Sequence, residues 1–140
     1  MKKIVTLLMC ALFTFSCAKS ASPLDYDDFS SSFIYWEDVF KQKEMKYYIY
    51  FYSEHCYYCQ QIKEKMLKTI KNATTPCYLL VYNDAIPIGD EIDQTIGAST
   101  IEQLWFGGTP TLLQIKANIV TKNILGAQKI ADYLIYWDNF

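Results

Sequence analysis

Residues 47–62 read YYIYFYSEHCYYCQQI and combine an apolar run, a Cys-x-x-Cys motif and the start of a helical pattern. Its first part, residues 47–52, is an unbroken run of Tyr, Ile and Phe, which is typical of a strand buried on both faces. From Cys59 onward, apolar residues recur at helical spacing while Gln, Lys and Glu fill the other face. Cys56 therefore lies where a buried strand ends and an amphipathic helix begins.

The position of Cys56 predicts a reactive thiol. A helix N-terminus presents unpaired N–H groups and a positive partial charge, which favour the thiolate and lower the pKa of the cysteine. The thiolate is the attacking species in thiol–disulfide exchange. Cys59 lies one helical turn further on, so its sulfur can reach Cys56 and close a disulfide. The motif thus supplies an attacking and a resolving sulfur on one element.

Two other interpretations of the cysteine pair stay open from the residues alone. A Cys-x-x-Cys pair is also half of a typical zinc site, with His55 and Cys77 as the other candidate ligands. The sequence contains no second Cys-x-x-Cys and no His-x-x-x-His, so zinc is less favoured and we expect no metal. The remaining interpretation is a pair of buried thiols without chemistry.

The composition is that of one globular domain and argues against a nucleic-acid-binding protein. The 140 residues suit a single domain, and 51% of them are hydrophobic, so a sizeable core is available. The formal net charge of −2 gives no basic surface for nucleic acid. All 13 basic residues are lysines, so the chain lacks the guanidinium groups that many phosphate and carboxylate sites use.

The N-terminus has the pattern of an export signal, which we assign to residues 1–17. Two lysines precede the apolar segment Ile4–Phe15, which is shorter than an ordinary membrane-spanning helix. Two processing routes are open, namely cleavage after Ala18 and lipidation of Cys17 as in a bacterial lipoprotein. We favour lipidation, because a polar stretch suited to a tether follows Cys17. An apolar N-terminal strand in a cytosolic protein is the remaining alternative.

The cysteine count is consistent with export. Of the five cysteines, Cys10 leaves with the signal and Cys17 is removed or lipidated. One close pair, Cys56 and Cys59, and the odd Cys77 then remain, which suits a redox pair outside the cytoplasm better than a structural framework. We therefore expect the protein in the periplasm or on the outer side of the cytoplasmic membrane.

Hydrophobic periodicity and turn residues predict a linker over residues 18–32 and a domain over residues 33–140. Ser32 and Ser99 are the predicted N-caps of two of the helices. Strands joined by helices imply parallel crossovers, and the last two strands form a hairpin. The expected fold is an α/β three-layer sandwich, with a central mixed sheet of about four strands and helices on both faces. The predicted helices cover residues 33–43, 57–71, 99–106 and about 130–137; the predicted strands cover residues 46–52, 77–83, 111–115 and 119–125; residues 84–98 are a loop with one short helical turn.

The order of elements and two motifs resemble the thioredoxin superfamily. The first motif is the strand that leads into Cys-Tyr-Tyr-Cys at residues 56–59, and the second is Gly-Thr-Pro-Thr at residues 108–111. The resemblance covers residues 33–140. It implies that the Thr109–Pro110 peptide bond is cis and faces the redox pair. It also implies that the backbone of Thr109 hydrogen-bonds an extended substrate segment beside the first cysteine.

The chain departs from typical thioredoxin around the redox motif. Thioredoxin has Trp before the first cysteine and Gly-Pro between the two, whereas this chain has His55 and the pair Tyr57-Tyr58. The buried Asp that thioredoxins use to move protons falls near Tyr50, which is not a proton acceptor at neutral pH. The stretch YFYSEHCYYCQQ at residues 50–61 is similar to small exported thioredoxin-like proteins, including those called bacteriocin transport accessory proteins.

The residues around the two cysteines have expected supporting roles. An imidazolium at His55 would stabilise the neighbouring thiolate, and a solvated hinge residue is the equally weighted alternative. Tyr57 and Tyr58 are expected at the surface, where rigid aromatic rings contact a client peptide. Cys77 is expected to be a small core residue.

The resemblance implies a thiol–disulfide oxidoreductase that exchanges disulfides with protein thiols or disulfides outside the cytoplasm. It would work as a monomer, with no cofactor beyond its own Cys56–Cys59 disulfide, and its partner would be a client protein, a membrane redox protein or a transporter. The alternative is a thioredoxin-like adaptor that binds an extended segment of a transporter or secreted peptide without redox turnover. The direction of electron flow is left open by the sequence.

Overall fold

The computed structural model describes residues 22–90 and 92–139. None of the helices in these two ranges has both the length and the hydropathy needed to cross a membrane. The predictions for the signal peptide and for Cys17 lie outside the described residues. The strands are β1 (Lys46–Tyr52), β2 (Cys77–Val81), β3 (Thr111–Lys116) and β4 (Ile119–Leu125); the α-helices are α1 (Tyr57–Asn72) and α2 (Ala127–Tyr133); short 3₁₀ helices cover Tyr26–Ser32, Trp36–Asp38, Ile92–Thr95, Ile101–Gln103 and Leu134–Tyr136.

The four strands form one mixed sheet in the order β2-β1-β3-β4. β1 is parallel to β2 and antiparallel to β3, and β3 and β4 form the predicted hairpin. The prediction of a parallel crossover between β2 and β3 is wrong. Val81 pairs with Tyr52 and Thr111 pairs with Phe51, so β2 ends and β3 begins at the same end of the sheet. A chain that returns from that end runs antiparallel and needs no crossover helix.

β1 is the centre of the core, as the unbroken apolar run predicted. Every residue of the strand after Lys46 is buried. Successive side chains point to opposite faces of the sheet, so β1 supplies both halves of the core. One half contains Tyr48, Tyr50 and Tyr52, and the other contains Tyr47, Ile49 and Phe51.

Both α-helices lie on the face of the sheet that carries Tyr48, Tyr50 and Tyr52. Cys59, Ile62, Met66 and Leu67 from α1 pack there together with Ile130 from α2. On the other face, the described residues form a cover of 3₁₀ turns and loops, which contributes Val39, Leu104 and Phe106 to the core. The structure is therefore an α/β three-layer arrangement whose second outer layer is irregular.

The predicted helix over residues 33–43 is wrong. Phe33 forms an isolated bridge with Leu79, and the N–H of Ile34 donates to the Leu79 carbonyl at 3.0 Å. The open edge of β2 thus draws these residues into an extended conformation, and only Trp36–Asp38 form a 3₁₀ turn.

The predicted linker is also wrong for its last residues, because Tyr26–Ser32 form a 3₁₀ helix that packs on the sheet. Asp25, rather than Ser32, caps a helix in this region, through a capping box with Asp28. Tyr26 is buried against the core.

The predicted helix over residues 99–106 is reduced to the 3₁₀ turn Ile101–Gln103, whose N-cap is Thr100 and not Ser99. The chain beyond it is bonded to other loops, which prevents an α-helical ladder. The Thr95 hydroxyl accepts from the Trp105 N–H at 2.9 Å and donates to the Trp105 carbonyl at 2.8 Å. Elsewhere the predicted boundaries hold within two residues for β1, α1, β2, β3 and β4, and the short turn predicted in residues 84–98 is Ile92–Thr95.

Candidate functional site

The redox motif is held by a tight turn between β1 and α1. The N–H of Cys56 donates to the Ser53 carbonyl at 3.2 Å, and the N–H of Gln60 donates to the Cys56 carbonyl at 3.1 Å as the first helical bond. The Gln60 side-chain amide reaches back to the Glu54 carbonyl at 3.1 Å. These bonds fix the first cysteine between a buried strand and a regular helix.

Cys56 is the N-cap residue of α1. Its backbone is extended, and its sulfur accepts a hydrogen bond from the Cys59 N–H at a distance of 3.1 Å. A cap position also lies at the positive end of the helix dipole. Both interactions are stronger with a thiolate than with a thiol, so the fold stabilises negative charge on this sulfur once the disulfide is reduced.

Cys56 and Cys59 form a disulfide with a sequence separation of three residues. The two sulfurs differ in environment, because Cys59 is 0% exposed within the core while Cys56 is only partly buried. An incoming thiol or disulfide can therefore approach Cys56, whereas Cys59 is accessible only to its own partner.

The predicted proline turn lies directly beside the first cysteine. The Thr109–Pro110 peptide bond is cis, as the resemblance implied. The Thr109 carbonyl oxygen is 3.4 Å from the Cys56 sulfur, although the two residues are 53 positions apart in sequence. The turn is fixed at its far side by the Gly126 N–H, which donates to the Pro110 carbonyl at 2.9 Å. The fold thus brings the two sequence motifs together at one corner.

The three residues that flank Cys56 lie at the surface. Tyr57 is 69% exposed and Tyr58 is 60% exposed, and their rings meet edge to face with centroids 5.4 Å apart. His55 is exposed, and its backbone N–H lies 3.4 Å from the Ser53 hydroxyl. The rings of Tyr57 and Tyr58 therefore lie at the surface beside the redox motif, as the sequence predicted.

A group of stacked tyrosines lies beneath this corner. Tyr52, the last residue of β1, stacks on Tyr26 at 3.9 Å and on Tyr50 at 5.6 Å between ring centroids. Burial raises the pKa of Tyr26 to about 12 and that of Tyr50 further. Burial also raises the pKa of the Cys77 thiol, so that this buried cysteine stays protonated at neutral pH.

In the described part of the chain, no ionised side chain lies in the core beneath the redox pair. Among the described residues, the buried polar side chains outside the aromatic and cysteine set are Thr95, Thr111 and Gln114. Neither the Tyr26 nor the Tyr50 hydroxyl has a hydrogen-bond partner within the part of the chain that the structure describes. Near the place where thioredoxins carry their buried Asp, this chain thus has the neutral phenol of Tyr50.

The described part of the chain brings no three His, Cys, Asp or Glu side chains together in a way that could hold a metal ion. Cavities of about 530 and 500 Å³ are lined without a cysteine. A smaller cavity of about 260 Å³ adjoins the redox motif through Tyr58.

Sequence reasoning missed two features of this region. Tyr26 was assigned to the linker, and its isolated aromatic ring between acidic residues gave no periodic signal. Ala127 and Ala131 line the cavity beside Tyr58. Two small residues four positions apart lie on the same side of a helix, and this spacing is the sequence signal that could have indicated a gap between α2 and its neighbour.

No protein-family model matches the chain, and no curated protein matches it. Solved structures do match. Mitochondrial thioredoxin 3 from Saccharomyces cerevisiae, in its oxidised form, matches with a TM-score of 0.52 and 15% identity over 80% of this chain and 98% of its own. The thioredoxin NaTrxh from Nicotiana alata matches with a TM-score of 0.50 and 16% identity over 76% of this chain and 93% of its own.

The chain has a thioredoxin fold. At 15–16% identity the likeness concerns the fold alone, and the chemistry has to be argued from the residues of the site.

Proposed function

We propose that the protein is a thiol–disulfide oxidoreductase that exchanges disulfides with client proteins through Cys56 and Cys59. The observation that carries this proposal is the difference between the two bonded sulfurs. Cys56 caps α1 and is accessible, whereas Cys59 is buried one turn further on. An attacking sulfur needs charge stabilisation and access, and a resolving sulfur needs only proximity to the first.

The exchange balances without any additional reagent. In the reducing direction the Cys56 thiolate attacks one sulfur of a client disulfide, a mixed disulfide forms, and the other client sulfur leaves as a thiolate. Cys59 then loses its proton and attacks the Cys56 sulfur, so the Cys56–Cys59 bond forms and the second client sulfur leaves. The two electrons pass from the Cys56–Cys59 pair to the client, whose thiolates take up the protons. In the oxidising direction the same steps run in reverse.

Residues around the pair have proposed supporting roles. The Thr109–Pro110 turn borders the Cys56 sulfur and would position an extended client segment. Tyr57 and Tyr58 offer exposed rings beside the reacting sulfur, where they would contact the same segment. His55 would add positive charge near Cys56 when its imidazole is protonated.

The proposed location is outside the cytoplasm, and the support for it is the N-terminal sequence. Two lysines and the apolar segment Ile4–Phe15 have the pattern of an export signal, and Cys17 is placed for lipidation. The proposed clients are accordingly exported proteins, a membrane redox partner or a transporter, and the protein would act as a monomer.

A redox titration tests the proposed function. The purified protein is equilibrated in buffers of reduced and oxidised glutathione, quenched with acid, alkylated and weighed by intact-mass spectrometry. We expect a reversible two-electron transition of the Cys56–Cys59 pair at a potential within the range of thiol–disulfide oxidoreductases, about −270 to −120 mV. A pair that stays oxidised throughout this range would instead be structural. If the Cys56→Ser protein also bound its partner as well as the unmodified protein does, the alternative of a thioredoxin-like adaptor without redox turnover would be favoured.

A further inference from the structure

We propose that the cavity beside Tyr58 is a specificity pocket that takes one apolar side chain of the client, next to its reacting cysteine. This inference rests on the proposed function and names the kind of polypeptide that the site prefers. The cavity has a volume of about 260 Å³ and lies between α1, where its lining runs from Tyr58 to Lys65, and α2, where it runs from Ala127 to Ala131. It is smaller than the pockets that usually hold whole small-molecule ligands, so a single side chain is the fitting occupant.

The pocket is continuous with the redox corner. Tyr58 stands between the two cysteines in sequence and forms a wall of the cavity. On the opposite side, Ala127 follows Gly126, whose N–H bonds the Pro110 carbonyl beside Cys56. A client held at Cys56 by a mixed disulfide therefore passes the mouth of the cavity. Extended residues advance by about 3.3 Å each, so a side chain within two positions of the client cysteine lies within reach.

The floor of the cavity is apolar and consists of Ile62, Ala127 and Ala131. Ile62 is 3% exposed, and Ala127 and Ala131 are packed against the same core cluster. The exposed ring of Tyr58 stands at the rim. A hydrophobic side chain that enters would remove this apolar surface from water, which is the main source of free energy available here.

Two of the polar side chains that line the cavity, Lys65 and Gln128, are bonded within the protein. The Lys65 ammonium donates to the Ala131 carbonyl at 2.7 Å, and the Gln128 amide donates to the Asp132 carboxylate at 2.9 Å. These two groups therefore already have partners, and the interaction that the cavity floor of Ile62, Ala127 and Ala131 offers to a client is apolar contact. This favours an aliphatic side chain such as Leu over a charged or amide side chain.

A competition experiment tests the pocket. Cys59→Ser protein is equilibrated in a glutathione buffer with two short cysteine peptides that differ only by Leu or Ser at one position. Intact-mass spectrometry then gives the ratio of the two mixed disulfides. The Leu is scanned over the two positions before and the two after the cysteine. At one position we expect enrichment of the Leu peptide by about fivefold to tenfold, the effect of burying roughly half of a Leu side chain.

Matched variants assign the preference to the cavity. In the Cys59→Ser background, Ala131→Leu fills the pocket and should bring the ratio close to one, whereas Ala85→Leu, on an exposed loop, should leave the enrichment unchanged. The peptide scan uses Cys59→Ser without a cavity variant, so it still measures the preference for Leu if Ala131→Leu does not fold. Equal amounts of all mixed disulfides would overturn the pocket and leave the proposed function intact. Failure of every peptide to form a mixed disulfide would overturn both.

Discussion

At the scale of single residues, the chemistry depends on where two sulfurs lie relative to the first turn of α1. The Cys56 sulfur accepts a hydrogen bond from the Cys59 N–H and lies at the positive end of the α1 dipole. Its neighbour across the fold is the backbone carbonyl of Thr109 rather than an acidic side chain. Cys77 has none of these features, since it is buried and burial raises the pKa of its thiol. The three cysteines of the domain should therefore differ widely in reactivity.

The first prediction is that Cys56 is the reactive thiol of the reduced protein. At mildly acidic pH, where ordinary thiols are protonated, iodoacetamide should modify Cys56 at least about tenfold faster than Cys59 or Cys77, because only the Cys56 thiolate is stabilised. Peptide mapping after short labelling times measures this. Labelling in denaturant serves as the control and should make the three cysteines similar. Faster modification of Cys59 or Cys77 in the native protein would contradict the assignment.

Much of the residue-scale site could be predicted from sequence because it depends on local pattern. The change from an apolar run to helical spacing places Cys56 at the helix start, and Cys77 within an apolar strand is necessarily buried. The approach of Thr109 to the Cys56 sulfur came only through the resemblance, since 53 residues separate them. The contact of Tyr26 with Tyr52 could not be predicted, because no periodicity links an isolated ring to a distant strand.

At the scale of secondary-structure elements, the 3₁₀ helix Tyr26–Ser32 links the N-terminal segment to the redox strand. Tyr26 stacks on Tyr52, the Lys63 ammonium lies 4.7 Å from the centre of the Tyr26 ring, and Lys63 pairs with Asp25 at 2.9 Å. These contacts join the segment to β1 four residues before the first cysteine and to the second turn of α1. The segment is thus part of the domain and not a tether.

The second prediction concerns Tyr26. Replacing it with Ala removes a buried ring from a stack and should lower the free energy of unfolding by about 3 kcal/mol. Tyr26→Phe is the matched control and should change it by less than about 1 kcal/mol, because the hydroxyl that it removes has no hydrogen-bond partner among residues 22–90 and 92–139. Urea unfolding followed by circular dichroism measures both. A loss of stability in Tyr26→Phe as large as that in Tyr26→Ala would mean that the hydroxyl is bonded after all.

The third prediction is a pH dependence at the C-terminal end of the domain. The Asp138 carboxylate accepts the N–H groups of Thr74 and Thr75 and the Thr74 hydroxyl, at 3.0–3.1 Å. Partial burial opposes ionisation, but these hydrogen bonds outweigh it and hold the pKa of Asp138 below the ordinary value of 3.8. A lowered pKa means that the carboxylate contributes stability above about pH 3.8 and loses it as the pH falls through the folded-state pKa.

Asp138→Ala should therefore lower the free energy of unfolding by about 1 kcal/mol at pH 7, a value reduced for the exposure of the carboxylate. The gap between the two proteins should narrow as the pH falls from 4 to 2. Urea unfolding of both proteins across this range measures the gap. A gap that stays constant with pH would show that the carboxylate charge plays no part.

The elements that could be predicted are those whose pattern agrees with their packing. β1 and α1 have strong periodicity, and the hairpin of β3 and β4 has a clear turn between two apolar runs. The predictions of helices over residues 33–43 and 99–106 were wrong because backbone N–H groups in both segments bond to distant residues. The Ile34 N–H donates to the Leu79 carbonyl, and the Trp105 N–H donates to the Thr95 hydroxyl. Helical propensity in short segments is weak against such bonds.

At the scale of the whole molecule, the sheet topology decides where chemistry takes place. The carboxyl ends of β1 and β2 and the start of β3 meet at one end of the sheet, and Cys56 and Pro110 lie there for that reason. Both α-helices cover one face, and their N-terminal turns meet beside Tyr58. The predicted order of elements was enough to predict a mixed sheet and three layers. It gave the wrong direction for β3, because the described residues that connect β2 to β3 form short 3₁₀ turns and loops, and not a long helix.

The fourth prediction concerns the N-terminal region before the described domain. If Cys17 is lipidated, the mature chain begins at that residue and the protein fractionates with membranes, since two or three acyl chains bind firmly at about 0.8 kcal/mol per buried CH₂. Mass spectrometry of the mature N-terminus, together with membrane fractionation, measures this. Cys17→Ser is the matched variant and should release the protein from membranes. An unmodified N-terminus at Lys19, with all the protein soluble, would exclude the lipid anchor.

The most direct test of the central claim is trapping of a client on Cys56. In Cys59→Ser the resolving sulfur is absent, so the mixed disulfide with a client protein should persist. Non-reducing gels of cells that express this variant should show higher-mass bands that contain the protein and that disappear with dithiothreitol. Cys56→Ser/Cys59→Ser, which lacks both sulfurs, should show none of them. Exchange through Cys56 predicts bands with Cys59→Ser alone. If no bands appear although this variant is folded and well expressed, exchange through Cys56 is ruled out.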